Sequence, residues 1–378
     1  MAVGQYGRIT GARIAGLVSC VPPRIVDNAF FEQQFGAEAV ENVTKMIGVR
    51  ARHYVDEGVA TSDMCYAAAI RLCEELGWSM DSIDGIIFVS QSGDYPLPAT
   101  SCILQARLGM RTSTLAFDIG LGCSGYGYGL FSAMSAVQTG ALKRVLLCVG
   151  DVSTRGSDPD DRATVMLFGD CGTVTAIEAS DDPADIAHFV MGTDGRGAEN
   201  LMMPKSKHRI FKPEGRFAGR DPEMLFMDGG EIFNFTITSV PPLILETVAK
   251  AGQTVDDYDA FCLHQANTFM VKHIAKKAKL PKDRVPINMD RYGNTSSASV
   301  PLLMTTDIAD QLKERRCRLG LFGFGVGYSW VGVSLEVGPL PICETIILQD
   351  DAVVPERAAA SEMNAAVRAA ETLTGAEA

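Results

Sequence analysis

The stretch GWSMDSIDG at 77–85, followed by IIFVSQS at 86–92, has an echo in GQTVDDYDA at 252–260, followed by FCLHQAN at 261–267. Gly77 and Gly252, Asp81 and Asp256, and Asp84 and Asp259 are each 175 residues apart. A helical pattern precedes each glycine, over 64–76 and 239–251, and a strand-type run follows it. Two further pairs keep the order. RVLLCVG at 144–150 answers RLGLFGF at 318–324 with an offset of 174, and Gly122-Cys123 answers Gly293-Asn294 with an offset of 171. The members of this last pair both follow a strand-type run and precede a small-residue helical run. One such pairing is noise, whereas three in order predict two copies of one helix–strand unit about a pseudo-dyad. Interleaved helices and strands imply an α/β fold with mostly parallel, doubly covered sheets. Apolar runs such as IIFV and LLCV fit strands buried on both faces.

The rest of the chain arranges itself around that repeat. Residues 1–190 form a first half carrying a candidate nucleophilic cysteine, and 191–340 form a second. The alanine- and glutamate-rich 341–378 read as a flexible tail. Residues 8–20 look like a single opening strand, and 30–47 have helical spacing. Between the halves, 191–222 is an excursion made basic by Lys205, Lys207, His208, Arg209, Lys212, Arg216 and Arg220. It is either a solvated loop or a contact for a phosphate or a carrier.

Composition narrows the function. Of the 378 residues, 47% are hydrophobic and 21% charged, as in a compact protein with a large core. Ten cysteines are scattered without a CxxC pair, so no metal cluster and no disulfide scaffold is expected. A net charge of −12 argues against a nucleic-acid binder and means that an acidic partner must dock on a local basic patch. No signal core and no apolar run of membrane-spanning length is visible, so a cytoplasmic protein with no membrane span is expected.

The chemistry centres on DIGLGCSGYGYG at 118–129, with Cys123 at a strand-to-helix turn. That position favours a thiolate through helix N–H groups and the macrodipole, although a buried structural cysteine would read the same way. Gly125, Gly127 and Gly129 each cost a helix about 1 kcal/mol against alanine. Close packing of the central helix on its pseudo-symmetric counterpart would explain them. His264 ends a strand-type run in LHQAN, and Asn294 lies in RYGNTSSAS; each alone could be structural. The glycine-rich GFGVG at 323–327 lacks the helix-opening context of a dinucleotide loop. Together they suit acyl transfer: a thiolate takes an acyl group, backbone N–H groups hold the oxyanion, and neutral His264 Nε2–H and the Asn294 amide hold an enolate oxygen.

GCSG at 122–125, HQAN at 264–267 and GNTSSAS at 293–299, with FGDCGT at 168–173 and the GFGVG turn, resemble the motifs of the β-ketoacyl-ACP synthase III family. The resemblance covers roughly 8–337. It implies the thiolase fold, an internally duplicated five-layered α-β-α-β-α structure, and a homodimer with no cofactor beyond its acyl-CoA or acyl-ACP substrate. It also implies that Cys123 is the acylated nucleophile and that His264 and Asn294 act on malonyl-ACP. The N–H groups of Cys123 and of the Gly325–Val326 turn correspond to the oxyanion hole. Leu97 matches the residue that family dimers insert into the partner's acyl pocket, and Phe168 corresponds to a pocket wall. Arg162 matches a CoA-contacting arginine. However, Asn42 and Met46 stand where CoA-dependent members place an adenine clamp, which leaves acyl-CoA and acyl-ACP both open as donors. Lys272, Lys276 and Lys277, with Lys279 adjacent, form a basic cluster that is either a dock for acyl carrier protein or a solvated helix face. Two alternatives remain at this stage: a specialised-metabolism acyltransferase with a non-malonyl acceptor, and a non-catalytic thiolase-fold partner.

Overall fold

The computed structural model describes residues 3–204 and 214–353; five of the seven basic residues of the excursion lie outside them. Two sheets carry the fold. The first runs, edge to edge, through Cys343–Ile347, Ala12–Val21, Cys171–Ala179, Arg144–Asp151, Gly85–Val89 and Leu115–Ile119. The second runs through Gln5–Thr10, Ile186–Thr193, Ser329–Val337, Cys317–Gly325 and Ala260–Leu263. In each sheet the same pattern recurs: one strand pairs parallel with its neighbour on one side and antiparallel on the other. The sheets are therefore mixed, where the apolar runs had predicted mostly parallel ones.

The aspartates of the sequence echo hold equivalent places. Asp84 N–H donates to the Arg144 carbonyl at 2.9 Å, and Asp259 N–H donates to the Arg318 carbonyl at 2.9 Å. Both arginine N–H groups return the bond to the aspartate side chain, at 3.2 and 2.7 Å. Each carboxylate thus caps the start of a central strand, which is why the repeat keeps it.

Helices Gly125–Gln138 and Ser299–Asp307 lie between the sheets, Thr61–Leu76 covers the outer face of the first, and Gly229–Lys250 with Thr268–Lys277 covers the second. This is the five-layered α-β-α-β-α arrangement. The middle layer buries Leu130, Met134, Leu303, Val149 and Val331 in one cluster, each side chain contributing about 2 kcal/mol of hydrophobic stabilisation. The helix glycines serve the sheets rather than the opposing helix. A Cβ at Gly127 would collide with Val331 of the second sheet, and one at Gly129 with Leu147 and Val89 of the first. The helix is clamped from both sides, which corrects the expected packing on its counterpart.

Several other expectations change. The single opening strand is two strands, because Gly11 turns the chain at φ +73° and sends Gln5–Thr10 to the second sheet. The 30–47 helix is two, Ala29–Phe35 and Ala37–Ile47, broken at Gly36. A boundary at 190 cuts the strand Ile186–Thr193. The tail is ordered at its start: Cys343–Ile347 pairs parallel with Leu17–Val21, satisfying the backbone groups of that edge. Residues 354–378 lie outside the described ones. No strand forms before Asn294, where a short helix Met289–Tyr292 stands instead.

The outer helix Gly229–Lys250 starts ten residues earlier than expected and runs through Pro241 and Pro242. Proline 241 leaves the Ile237 carbonyl without its helical donor, and Lys277 Nζ fills that vacancy at 2.8 Å. By length and composition this helix could cross a membrane, contrary to the sequence reading. Here Val240, Leu243, Ile244 and Val248 bury it against the second sheet.

Candidate active site

Cys123 lies in the turn just before Gly125–Gln138, with its thiol against the strand turn at 325–326. A Cβ at Gly325 would come within 2.7 Å of Cys123 Cβ and 2.8 Å of Sγ, so only glycine lets the second sheet approach the thiol this closely. Hydrogen bonds from Val326 N–H, the Cys123 N–H and the Ser296 side chain favour the thiolate, but burial outweighs them and the nearby Asp151 carboxylate adds to it. The thiol is pushed up to about 11. The expected resting thiolate gives way to a protonated thiol, because burial removes the water that a thiolate needs.

His264 follows the strand Ala260–Leu263, with its N–H donating to the Phe322 carbonyl at 2.7 Å. Its Nδ1 is 2.6 Å from Ser299 Oγ, its ring meets Phe324 edge-on, and the Ser296 backbone also hydrogen-bonds the ring. Burial drives its pKa down to about 3, so the imidazole is neutral at working pH. Asn294 is held by its backbone between Leu167 and Gly169 of the FGD segment, at 2.9 and 3.1 Å. Its Oδ1 accepts Ser296 N–H at 2.9 Å, which leaves the side-chain NH2 as the outward donor. The two halves of the repeat thus bring Cys123, His264 and Asn294 together around Ser296. That residue sits at φ +52°, a conformation that a non-glycine residue seldom adopts without a local reason.

Sequence reasoning missed Ser296 and Asp151. Asp151 is buried and accepts hydrogen bonds from Ser90 Oγ (3.0 Å), Gln91 N–H (2.7 Å) and Ser297 Oγ (2.7 Å), tying the end of one central strand to the Asn294 segment. Neither residue lies in a motif whose chemistry points to it, although Ser296 falls inside the GNTSSAS run.

A cavity of about 380 Å³ opens onto Cys123; Phe168, Leu201, Met203, Leu225 and Val326 line it together with the polar Thr61, Gln91, Ser92 and Asp94. Phe168 thus lines the cavity beside Cys123. Leu97 is 79% exposed and does not line this cavity. Arg162, Asn42 and Met46 line a separate surface groove of about 830 Å³. Lys272, Lys276 and Lys277 all lie on the helix Thr268–Lys277, with Lys277 already committed to Ile237.

The second half of the site matches the family described as 3-oxoacyl-[acyl-carrier-protein (ACP)] synthase III C terminal over residues 248–337, and residues 117–195 match 3-oxoacyl-[acyl-carrier-protein (ACP)] synthase III. The β-ketoacyl-[acyl-carrier-protein] synthase III of Staphylococcus saprophyticus is 34% identical over 329 residues, spanning 86% of this chain and 98% of that one. The chain belongs to the β-ketoacyl-ACP synthase III family. A crystal structure of a 3-oxoacyl-(acyl-carrier protein) synthase from Burkholderia xenovorans LB400 superposes with a TM-score of 0.90 at 54% identity, covering 91% of this synthase and 99% of its relative. The priming β-ketosynthase of the R1128 polyketide pathway superposes at 0.76 with 28% identity, covering 87% and 97%. The fold is thus that of the thiolase superfamily, and this synthase is an acyltransferase of the ketosynthase type.

Proposed function

We propose that this synthase transfers an acyl group from a thioester to Cys123 and condenses it with malonyl-ACP, as fatty-acid synthesis requires. The observation that carries this is the convergence of a thiol and two oriented, uncharged groups around Ser296. Cys123 sulfur attacks the donor carbonyl; its S–C bond forms, the donor C–S bond breaks, and the carrier thiol leaves with the proton. Malonyl-ACP then loses CO2, and the electron pair of the broken C–C bond becomes an enolate. Its oxygen accepts from the Asn294 amide and from His264 Nε2–H. This reading assigns the tautomer in which Ser299 donates its hydroxyl proton to Nδ1 and the ring proton sits on Nε2. The enolate carbon attacks the acyl carbonyl, the Cys123 and Val326 N–H groups hold the oxyanion, and the thiol is released. Gly325 supplies room rather than a donor. The chemistry calls on no cofactor.

Acyl carrier protein docks through Lys272 and Lys276, both exposed, and Arg162 meets a donor phosphate. The loss of the adenine clamp favours a carrier-bound donor over acyl-CoA. The first sheet's edge strand, Leu115–Ile119, exposes Leu115 and half-buries Phe117 and Ile119; a second copy covers this edge, and Leu97 reaches the partner's cavity. Ten free thiols suit the reducing cytoplasm.

Intact mass after incubation with acyl-CoA and acyl-ACP donors tests the nucleophile. An adduct that appears with the wild type and disappears in Cys123→Ala supports it; an adduct surviving that substitution refutes it. Release of labelled CO2 from malonyl-ACP should fall about 100-fold in His264→Ala and in Asn294→Ala, the usual cost of losing one oxyanion donor.

A further inference from the structure

The nucleophile and the Val326 oxyanion donor come from opposite halves of the chain. Cys123 and Ser124 precede the helix Gly125–Gln138, whereas Val326 lies in the turn between Cys317–Gly325 and Ser329–Val337. The second half is brought up close: a Cβ at Gly323 would come within 2.8 Å of Ser124 Cα and 2.9 Å of the Cys123 carbonyl oxygen. Closeness alone does not aim an N–H group. Val326 stands between Gly325 and Gly327, both at positive φ, and a peptide flanked by glycines swivels at little cost.

A pair of hydroxyls crosses this junction. Ser329 Oγ donates to the Val326 carbonyl at 2.8 Å, and Ser124 Oγ lies 2.6 Å from Ser329 Oγ. A hydroxyl has one proton and a carbonyl can only accept, so Ser329 commits its proton to Val326 and accepts that of Ser124. The chain of bonds therefore runs from the residue after the nucleophile to the residue that supplies the oxyanion N–H. Ser124 and Ser329 are 0% and 3% exposed, so bulk water does not compete for either link.

We propose that Ser124 and Ser329 are positioning residues for acyl transfer, which together aim the Val326 N–H at the oxygen of the tetrahedral intermediate formed on Cys123. Neither lines the cavity, and each acts through Val326. This rests on the acyl-Cys123 reading and adds what holds its oxyanion donor in place. An oxyanion hole speeds a reaction because its donors are aimed before the charge develops, and a displacement of about 1 Å costs up to about 100-fold.

The test compares two reactions of one thiol in the full-length protein. Acylation by acetyl-, butanoyl- and octanoyl-ACP, or by the matching CoA thioesters, passes through an oxyanion. Alkylation by iodoacetamide displaces iodide from a saturated carbon and does not. Both rates are read at Cys123 by peptide mass spectrometry, and their ratio cancels changes in thiolate fraction and in access. In Ser329→Ala the ratio of acylation to alkylation should fall about 10- to 100-fold, between the effect of one lost buried hydrogen bond and that of a displaced donor. Ser329→Thr keeps the hydroxyl and should recover most of the ratio. Ser124→Ala should lower it less, because Val326 keeps its direct partner. Added to Ser329→Ala, it should lower the ratio no further, because it acts through that residue. An unchanged ratio in Ser329→Ala would overturn the proposal while leaving the acyl-enzyme intact. If that variant does not fold, Ser124→Ala decides, and an unchanged ratio there overturns it. Absence of an adduct from every donor with the wild type would overturn the acyl-enzyme reading and this inference with it.

Discussion

At the residue scale, two opposed pKa displacements define how the site responds to pH. Burial pushes the Cys123 thiol up to about 11 and His264 down to about 3. In the proposed reaction the thiolate attacks, and its fraction rises with pH until the thiol's pKa is passed. The acylation rate should accordingly climb about tenfold per pH unit between 6 and 9. His264 stays neutral throughout that range and adds no inflection. Rates that level off below pH 8 would show a thiol far more acidic than its burial allows. Ser299 offers a second check. Its hydroxyl lies 2.6 Å from the imidazole Nδ1, and loss of such a supporting hydrogen bond costs up to about tenfold. Ser299→Ala should therefore slow CO2 release from malonyl-ACP by that factor, far more than it slows acylation.

Among the elements, legibility followed chemistry. The repeat could be read because Asp84 and Asp259 perform the same backbone task, and the reactive triplet because its residue types are diagnostic together. Other features left no such mark. Cys343–Ile347 is an edge strand only partly buried, so it lacks the long apolar run of a central strand. Ser296 and Asp151 act by fixing backbone and loops, which no spacing announces. Pro241 and Pro242 hid the true length of the helix Gly229–Lys250, because the compensating donor, Lys277, lies on another helix. That bond predicts a measurable effect: Lys277→Met should cost about 1 kcal/mol in urea unfolding, whereas Lys272→Met, on the same helix but without that bond, should cost less. Equal losses would mean that the Ile237 carbonyl is satisfied without the lysine.

For the whole molecule, the two sheets exchange their outer strands. Gln5–Thr10 joins the second sheet, and Cys343–Ile347 joins the first. Ending the chain at Leu340 should lower the melting temperature clearly, since it bares the Leu17–Val21 edge and removes Ile342 and Leu348, both buried in the full chain; an unchanged midpoint would show that the last strand is dispensable. The opposite edge, Leu115–Ile119, is the one proposed above to be covered by a second copy. Leu115→Arg should shift sedimentation from dimer to monomer, and a dimer persisting at micromolar concentration would place the interface elsewhere. The strand exchange also sets a timetable for synthesis. The first sheet has five of its strands once residue 179 has been made, yet its last partner is Cys343–Ile347. At typical elongation speeds, that edge stays open on the ribosome for on the order of ten to thirty seconds. The nascent first half must keep clear of other nascent chains until the chain's far end arrives to close it.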